Sequence, residues 1–283
     1  MPTNNIERKT LEACIKRNPR QSVDFPRYPT RVIDTRTLEF EPDSIMFRNE
    51  YAVLSHTWMQ NGLEITYRDV LPALESLGFG MQKLYNALKA ARELGYQYLW
   101  VDNCCIDKAN NTELVEAISS MGDWYYNAAV CLVYIDDYSL GRIDNRFDNE
   151  MDIQGFNTRY SSRGWTLQEI VMSSRGVFYD KSWKKRADTA HPWAPMNTLA
   201  KLCKVPRSLL CCGGLGKPNV AASIILELAG ERRTTRPEDR AYSLMSMLGV
   251  HMAPDYGEGQ AKALARLFES IISTTGDVSV FNW

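Results

Sequence analysis

An alternation of apolar strands and amphipathic helices across residues 51–135 constrains the fold more than any other feature. Tyr51-Ala52-Val53-Leu54-Ser55 has the short apolar run of a buried strand. Met81, Leu84, Tyr85, Leu88 and Ala91 then recur at helical spacing, with Gly95 as the stop. Tyr98-Leu99-Trp100-Val101 is the next strand. Leu114, Ile118, Met121 and Tyr125 share the face of a second helix whose start Asn110 and Glu113 can cap. Ala129-Val130-Cys131-Leu132-Val133-Tyr134-Ile135 completes strand–helix–strand–helix–strand, which predicts a parallel sheet with right-handed crossovers.

The flanks read differently. Residues 1–50 are polar and Pro-punctuated, and predict an arm with a short strand or hairpin within 30–47. Residues 136–163 form a long charged loop of the kind that serves as a lid. A helix over 165–171 and a fourth strand, Gly176-Val177-Phe178-Tyr179, follow, so the core spans 51–180. Beyond it, helices are expected at 196–203, 221–229, 241–248 and 261–274, giving 181–283 as a helical extension packed on the sheet. The strand-like end at 277–281 suggests a piece of a longer protein with further domains.

Composition narrows the function classes. A net charge of -1 provides no field for nucleic acid or an anionic membrane. The one short basic run, Lys184-Lys185-Arg186, reads as a solvated face. No apolar run approaches the ~20 residues of a membrane span, and residues 1–20 lack the apolar core of a signal peptide. The seven cysteines include no CxxC, and the three histidines (His56, His191, His251) are far apart, which argues against a zinc site or a disulfide framework. A reduced, cytoplasmic protein is expected.

The residues that invite chemistry lie where these strands end. Arg163-Gly164-Trp165-Thr166-Leu167-Gln168-Glu169-Ile170 sets one acid, Glu169, a helical turn past a Trp and an Arg. Taken alone, Glu169 is most simply a solvated surface acid, and Glu113 and Glu116 are rival acids better read as capping and solvating their helix. Ser55, His56 and Trp58 follow the first strand; Asp102, Cys105 and Asp107 follow the second. In an open parallel sheet both loops border one crevice. Each also has a plainer reading: Trp165 as core, Asp102 and Asp107 as loop braces, Arg163 as an ion-pair partner, Cys104 and Cys105 as packing. Cys104 or Cys105 with His56 and Asp102 would alternatively suit a cysteine hydrolase.

These blocks together resemble the HET (heterokaryon incompatibility) domain of filamentous-fungal proteins. The matching stretches are Tyr51 through Trp58, Tyr98 through Lys108, Glu113 through Met121 and Arg163 through Glu169. Glu238-Asp239-Arg240-Ala241-Tyr242-Ser243-Leu244 with Tyr256-Gly257-Glu258-Gly259 extends the resemblance toward the C-terminus. Gly122 departs from it, standing where the family tends to carry a bulky residue.

HET domains in turn resemble TIR domains, which implies an α/β, TIR-like (flavodoxin-like) parallel sheet flanked by helices. In enzymatic TIR domains a Glu on the third helix is catalytic in cleaving NAD. The resemblance assigns that role to Glu169, with Thr166 standing where TIR domains often have Cys. It also implies cell death after non-self recognition, regulated by self-association, with a non-enzymatic signalling module as the rival reading.

One acid suits that chemistry. The leaving nicotinamide departs as a neutral base, so no general acid is needed, unlike O-glycoside hydrolysis. Positive charge develops on the ribose instead. A carboxylate ~4 Å away at an effective dielectric near 20 stabilises it by roughly 4 kcal/mol, about a thousandfold in rate. Trp58 and Trp165 are candidate stacking surfaces and Arg163 a phosphate fork, with Ser55, His56, Asp102, Cys105 and Asp107 as further substrate contacts. No G-x-G-x-x-G follows either strand, so NAD is expected as substrate and no cofactor or metal is expected.

Overall fold

The computed structural model of the chain describes residues 27–42, 51–59, 64–70, 79–138, 157–215 and 220–282. Most of the expected N-terminal arm (1–26, 43–50) and lid (139–156) lies outside them.

The sheet is built from β1 (Arg31–Asp34), β2 (Phe40–Pro42), β3 (Tyr51–His56), β4 (Tyr98–Trp100), β5 (Val130–Tyr134), β6 (Gly176–Tyr179) and β7 (Lys185–Asp188). Its order is β2-β1-β4-β3-β5-β6-β7. The inner strands β4, β3, β5 and β6 are parallel. By chain order they run second, first, third, fourth, the doubly wound arrangement whose direction of progression reverses beside the first strand. The sheet is mixed rather than wholly parallel. The hairpin β1–β2 adds antiparallel to β4, and β7 adds antiparallel to β6.

Every residue of β3 is buried, as a strand covered on both faces must be. Helix α1 (Phe79–Glu93) links β3 to β4, and α2 (Asn111–Asn127) links β4 to β5. On α1 the buried stripe is Leu84, Ala87, Leu88 and Ala91. Tyr85, expected on it, is 49% exposed, and Lys83 is buried in its place. On α2 the Asn110 side chain accepts from Thr112 N and Glu113 N, the expected cap. Trp100 lies edge-on to Trp124 (5.4 Å, 70°) and to Tyr125 (5.7 Å, 86°), clamping β4 to α2. Each such aromatic pair adds about 1 kcal/mol beyond burial.

Between β5 and β6 come α3 (Arg159–Ser162) and α4 (Trp165–Met172). The C-terminal part holds α5 (Met196–Cys203), α6 (Ala222–Gly230), α7 (Asp239–Tyr242) and α8 (Gln260–Thr275). The basic run at 184–186 keeps Lys184 and Lys185 exposed, as a solvated face would, while it enters edge strand β7, where Arg186 pairs with Asp180 and Lys185 with Asp188; an edge lysine blocks further strand pairing. Two other expectations for this part are corrected. The helix expected at 241–248 is only the short α7 followed by turns, although its apolar residues stay buried. The strand expected at 277–281 is a 3-10 turn (Val278–Phe281), because Asp277 accepts from Ser279 N and Ala222 N and winds the chain back onto α6. No helix among the described residues is long and apolar enough to cross a membrane.

Gly122 is where α2 meets the segment after α7. A Cβ there would stand 2.2 Å from Ser246 Cβ and 3.2 Å from Gln168 Oε1. A side chain at this position has no space, so the departure noted in the sequence matches the local packing. Gly122→Val is expected to cost about 1–3 kcal/mol, read as a lower urea midpoint at unchanged m-value.

Candidate functional site

β3 ends with adjacent residues on opposite faces of the sheet, as pleating requires. Ser55 faces α4 and His56 faces α1. On the α4 side, Ser55 Oγ donates to Glu169 Oε2 at 2.5 Å. Tyr160 OH lies 2.6 Å from the same Ser55 oxygen. With Glu169 ionised, the only consistent arrangement is Tyr160 donating to Ser55 and Ser55 donating to Glu169.

Glu169 is 5% exposed, so the solvated reading is wrong. No Lys or Arg among the described residues forms an ion pair with it. Burial, and after it the charge of Asp102, pushes its carboxyl up to about 8, against the pull of the Ser55 hydrogen bond. A carboxylic acid held this way is a candidate for chemistry.

A second group occupies the α1 side. Lys83 Nζ donates to Glu64 Oε1 at 2.7 Å and to Thr57 O at 3.0 Å. His56 Nε2 lies 3.4 Å from Glu64 Oε1 and 3.7 Å from Asp102 Oδ1. Burial, with Lys83 beside it, holds the imidazole below its usual pKa and so neutral. Burial pushes the Glu64 carboxyl up, but the contacts with His56 and Lys83 outweigh it and hold the group at about 2, an anion between two nitrogen groups. Trp58 Nε1 donates to Asp102 Oδ2 at 2.8 Å. Asp102 thus belongs to this group by hydrogen bond and to the Glu169 group by charge.

The rim between β3 and β5 joins them. Thr57 Oγ1 donates to Asp136 Oδ1 at 3.2 Å. Arg159, on α3, donates to Asp136 Oδ2 at 2.9 Å, to Trp58 O at 2.7 Å and, through its backbone N–H, to Asp137 Oδ2 at 2.6 Å. This is the position, outside the carboxyl ends of the strands where their order reverses, at which open α/β sheets take ligands.

The structure therefore gathers Ser55, His56, Trp58, Asp102 and Glu169. Four other expected contacts are engaged elsewhere. Cys105 is buried, its Sγ accepting from Val101 N at 3.4 Å. Asp107 braces its own loop by accepting from Ala109 N at 3.1 Å. Arg163 NH1 donates to Thr235 Oγ1 at 3.0 Å, although its charge still favours ionised Glu169. Trp165 Nε1 donates to Asp239 Oδ2 at 3.1 Å. The cysteine-nucleophile alternative loses its support: burial pushes the Cys104 thiol up, and His56 faces carboxylates rather than sulfur. Glu113 is no free surface acid either, since it accepts from Asp107 N at 2.9 Å and pairs with Arg31 at 2.8 Å.

Sequence reasoning missed Tyr160, Lys83, Glu64, Arg159 and Arg232. Lys83 had a readable signal, a lysine four residues before Ala87 on the apolar stripe. Arg232 had none: in the run Glu231-Arg232-Arg233 it looks solvated. Its guanidinium is in fact buried, donating to Cys203 O at 2.7 Å, Arg163 O at 3.1 Å and Thr166 Oγ1 at 3.1 Å. Thr166 Oγ1 donates to Tyr160 O at 2.6 Å. The threonine and Arg232 thus lock α3 to α4 behind the acid.

Residues 51–153 match the family model described as Heterokaryon incompatibility protein (HET). The chain is 36% identical over 223 residues to the vegetative incompatibility protein HET-E-1 of Podospora anserina, covering 78% of this chain and 16% of that protein. The chain carries a HET domain. It spans about a sixth of the length of that curated relative. No solved structure matches it.

The family match covers β3 through β5 of the HET domain and stops before α4. Glu169, Tyr160 and Arg232 all lie beyond it, so the half of the site that holds the acid comes from the following segment. The C-terminal signature has a structural part in this HET domain. Glu238 accepts from Gly257 N at 3.0 Å and Gly259 N at 3.1 Å, and Tyr242 OH donates to Glu258 Oε1 at 2.6 Å. Asp239 accepts from both Tyr256 OH (2.8 Å) and Trp165 Nε1, tying this knot to α4.

Proposed function

We propose that the HET domain hydrolyses NAD to nicotinamide and ADP-ribose, and that this drives cell death in vegetative incompatibility. One observation carries the reading: Glu169 is buried at the ligand-taking edge of the sheet with no ion-pair partner among the described residues, and is aimed by Ser55. Packing gives no reason to bury such a group, whereas a substrate that becomes cationic does. The inner strand order and the place of the acid, on the crossover after the third parallel strand, also favour a TIR-like ancestry.

In this mechanism the C1′–N bond of the ribosyl pyridinium breaks and its electron pair stays on the nicotinamide nitrogen. Ionised Glu169 stabilises the oxocarbenium-like ribose. Water then bonds to C1′ and loses a proton. Tyr160 and Ser55 keep the carboxylate aligned, so little reorganisation is needed as charge develops. Arrival of the cationic pyridinium itself favours loss of the Glu169 proton.

The test is nicotinamide release by the purified chain at high protein concentration, since self-association is the expected activating event. Glu169→Gln is expected to lower release about a thousandfold. Because the carboxylate is the competent form, kcat/KM of the parent should climb about tenfold per pH unit up to a bend near 8. Equal release by parent and Glu169→Gln would discard the acid assignment. An assembled parent that releases none would favour a signalling module without catalysis.

A further inference from the structure

Trp58 is held through its backbone and its indole N–H yet stays partly exposed. Its carbonyl accepts from Arg159 at 2.7 Å, its indole N–H donates to Asp102 at 2.8 Å, and it keeps 37% of its surface exposed. The loop beneath it is braced as well, with Lys83 donating to Thr57 O and Glu64 accepting from Met59 N at 2.7 Å. A large aromatic ring secured this firmly, just past the first strand of a doubly wound sheet, stands where such sheets bind ligands.

A cation already uses that face. The Lys108 ammonium lies 3.6 Å from the centre of the Trp58 ring. No carboxylate among the described residues forms an ion pair with it. The Asp102 carboxylate at the ring's N–H edge adds negative potential beside the ring.

We propose that the Trp58 face, edged by Asp102, seats a flat cationic ring of the pyridinium type, and that Lys108 fills this seat in the resting protein as a built-in competitor. The ring's identity rests on the NAD hydrolase reading. Entry of the substrate then exchanges one cation for another, so the balance of Asp102 and Glu64 against Lys83 and Lys108 is preserved. A pyridinium is flat and less strongly hydrated than an ammonium, so it stacks better on the indole. Once the glycosidic bond breaks, the ring is neutral nicotinamide, the cation–π attraction is gone, and Lys108 reclaims the face. The same contact that delays substrate therefore helps to expel product.

The experiment is a calorimetric titration of the whole chain with the N-methylnicotinamide cation, with neutral nicotinamide as the control. Lys108→Met is expected to bind the cation about tenfold more tightly, the size of a partly desolvated cation–π contact, without a matching gain for the neutral ring. Lys108→Arg should bind it like the parent, and Trp58→Leu should lose it. Equal or weaker cation binding by Lys108→Met overturns the proposal, as does binding that survives Trp58→Leu. The seat and the hydrolase reading fail separately. Cation binding with this variant pattern, but no nicotinamide release from NAD, keeps the seat and removes the hydrolase. Glu169-dependent cleavage whose KM is unmoved by Lys108→Met removes the seat alone.

Discussion

Glu169→Gln is expected to make the protein more stable as it makes it inactive, and the gain should appear only at high pH. Burial raises the Glu169 carboxyl from an ordinary 4.5 to about 8. An acid raised on folding contributes fully below its unfolded value, and its contribution is lost as pH rises through the folded one. Between those limits the unfolded chain gives up a proton that the folded chain retains, so stability declines across pH 4.5 to 8. The full difference corresponds to about 5 kcal/mol. Glutamine keeps the shape and an oxygen for Ser55 but has no proton to lose. Near pH 5 the two proteins should melt together. Near pH 9 the variant should melt roughly 10 °C higher. A difference in Tm that is the same at both pH values would mean that Glu169 is not the buried, raised acid described here.

Gly213→Ala should be the most damaging small substitution in the HET domain. The segment around Gly213 closes the end of α4 from outside. Cys211 N donates to Ile170 O at 3.1 Å, Gly213 N to Ser173 O at 3.0 Å, and Cys212 Sγ to Val171 O at 3.3 Å. These donors satisfy carbonyls that a helix end leaves orphaned. A methyl at Gly213 would stand 1.8 Å from Met172 O and 2.8 Å from Met172 C, both backbone atoms that cannot swing aside. The segment must lift off, and the buried carbonyls lose their donors at about 1–3 kcal/mol each. A loss of about 3 kcal/mol or more is expected in urea unfolding, together with lower nicotinamide release, because α4 carries Glu169. Wild-type stability in Gly213→Ala would show that the close approach is not a feature of the folded protein.

Both predictions concern contacts between segments distant in the chain, and such contacts are what the sequence conceals. Strand runs at 51–55, 98–101 and 129–135, the cap at Asn110 and the helix carrying Glu169 were legible because each is written in neighbouring residues. Apolar period and capping chemistry act over a few residues and leave a local trace. Edge strand β7 was not legible, since Lys185-Arg186 reads as solvent-facing until β6 supplies a partner and Asp180 and Asp188 supply the counter-charges. Tyr85 and Lys83 exchanged places because period alone does not say which neighbour of a stripe finds a buried carboxylate.

The site divides the same way. The residue types for the proposed NAD chemistry, and the strand ends that present Ser55, Trp58 and Asp102, are properties of the chain read in order. Whether Glu169 is a surface acid or a buried one raised to about 8 depends on Tyr160, Ser55 and Asp102 arriving from three other elements. That Trp165 and Arg163 reach Asp239 and Thr235 depends on a C-terminal segment some 70 positions later. A side chain's charge state and orientation are set by the dielectric and the partners around it, and those exist only once distant parts of the chain have packed together.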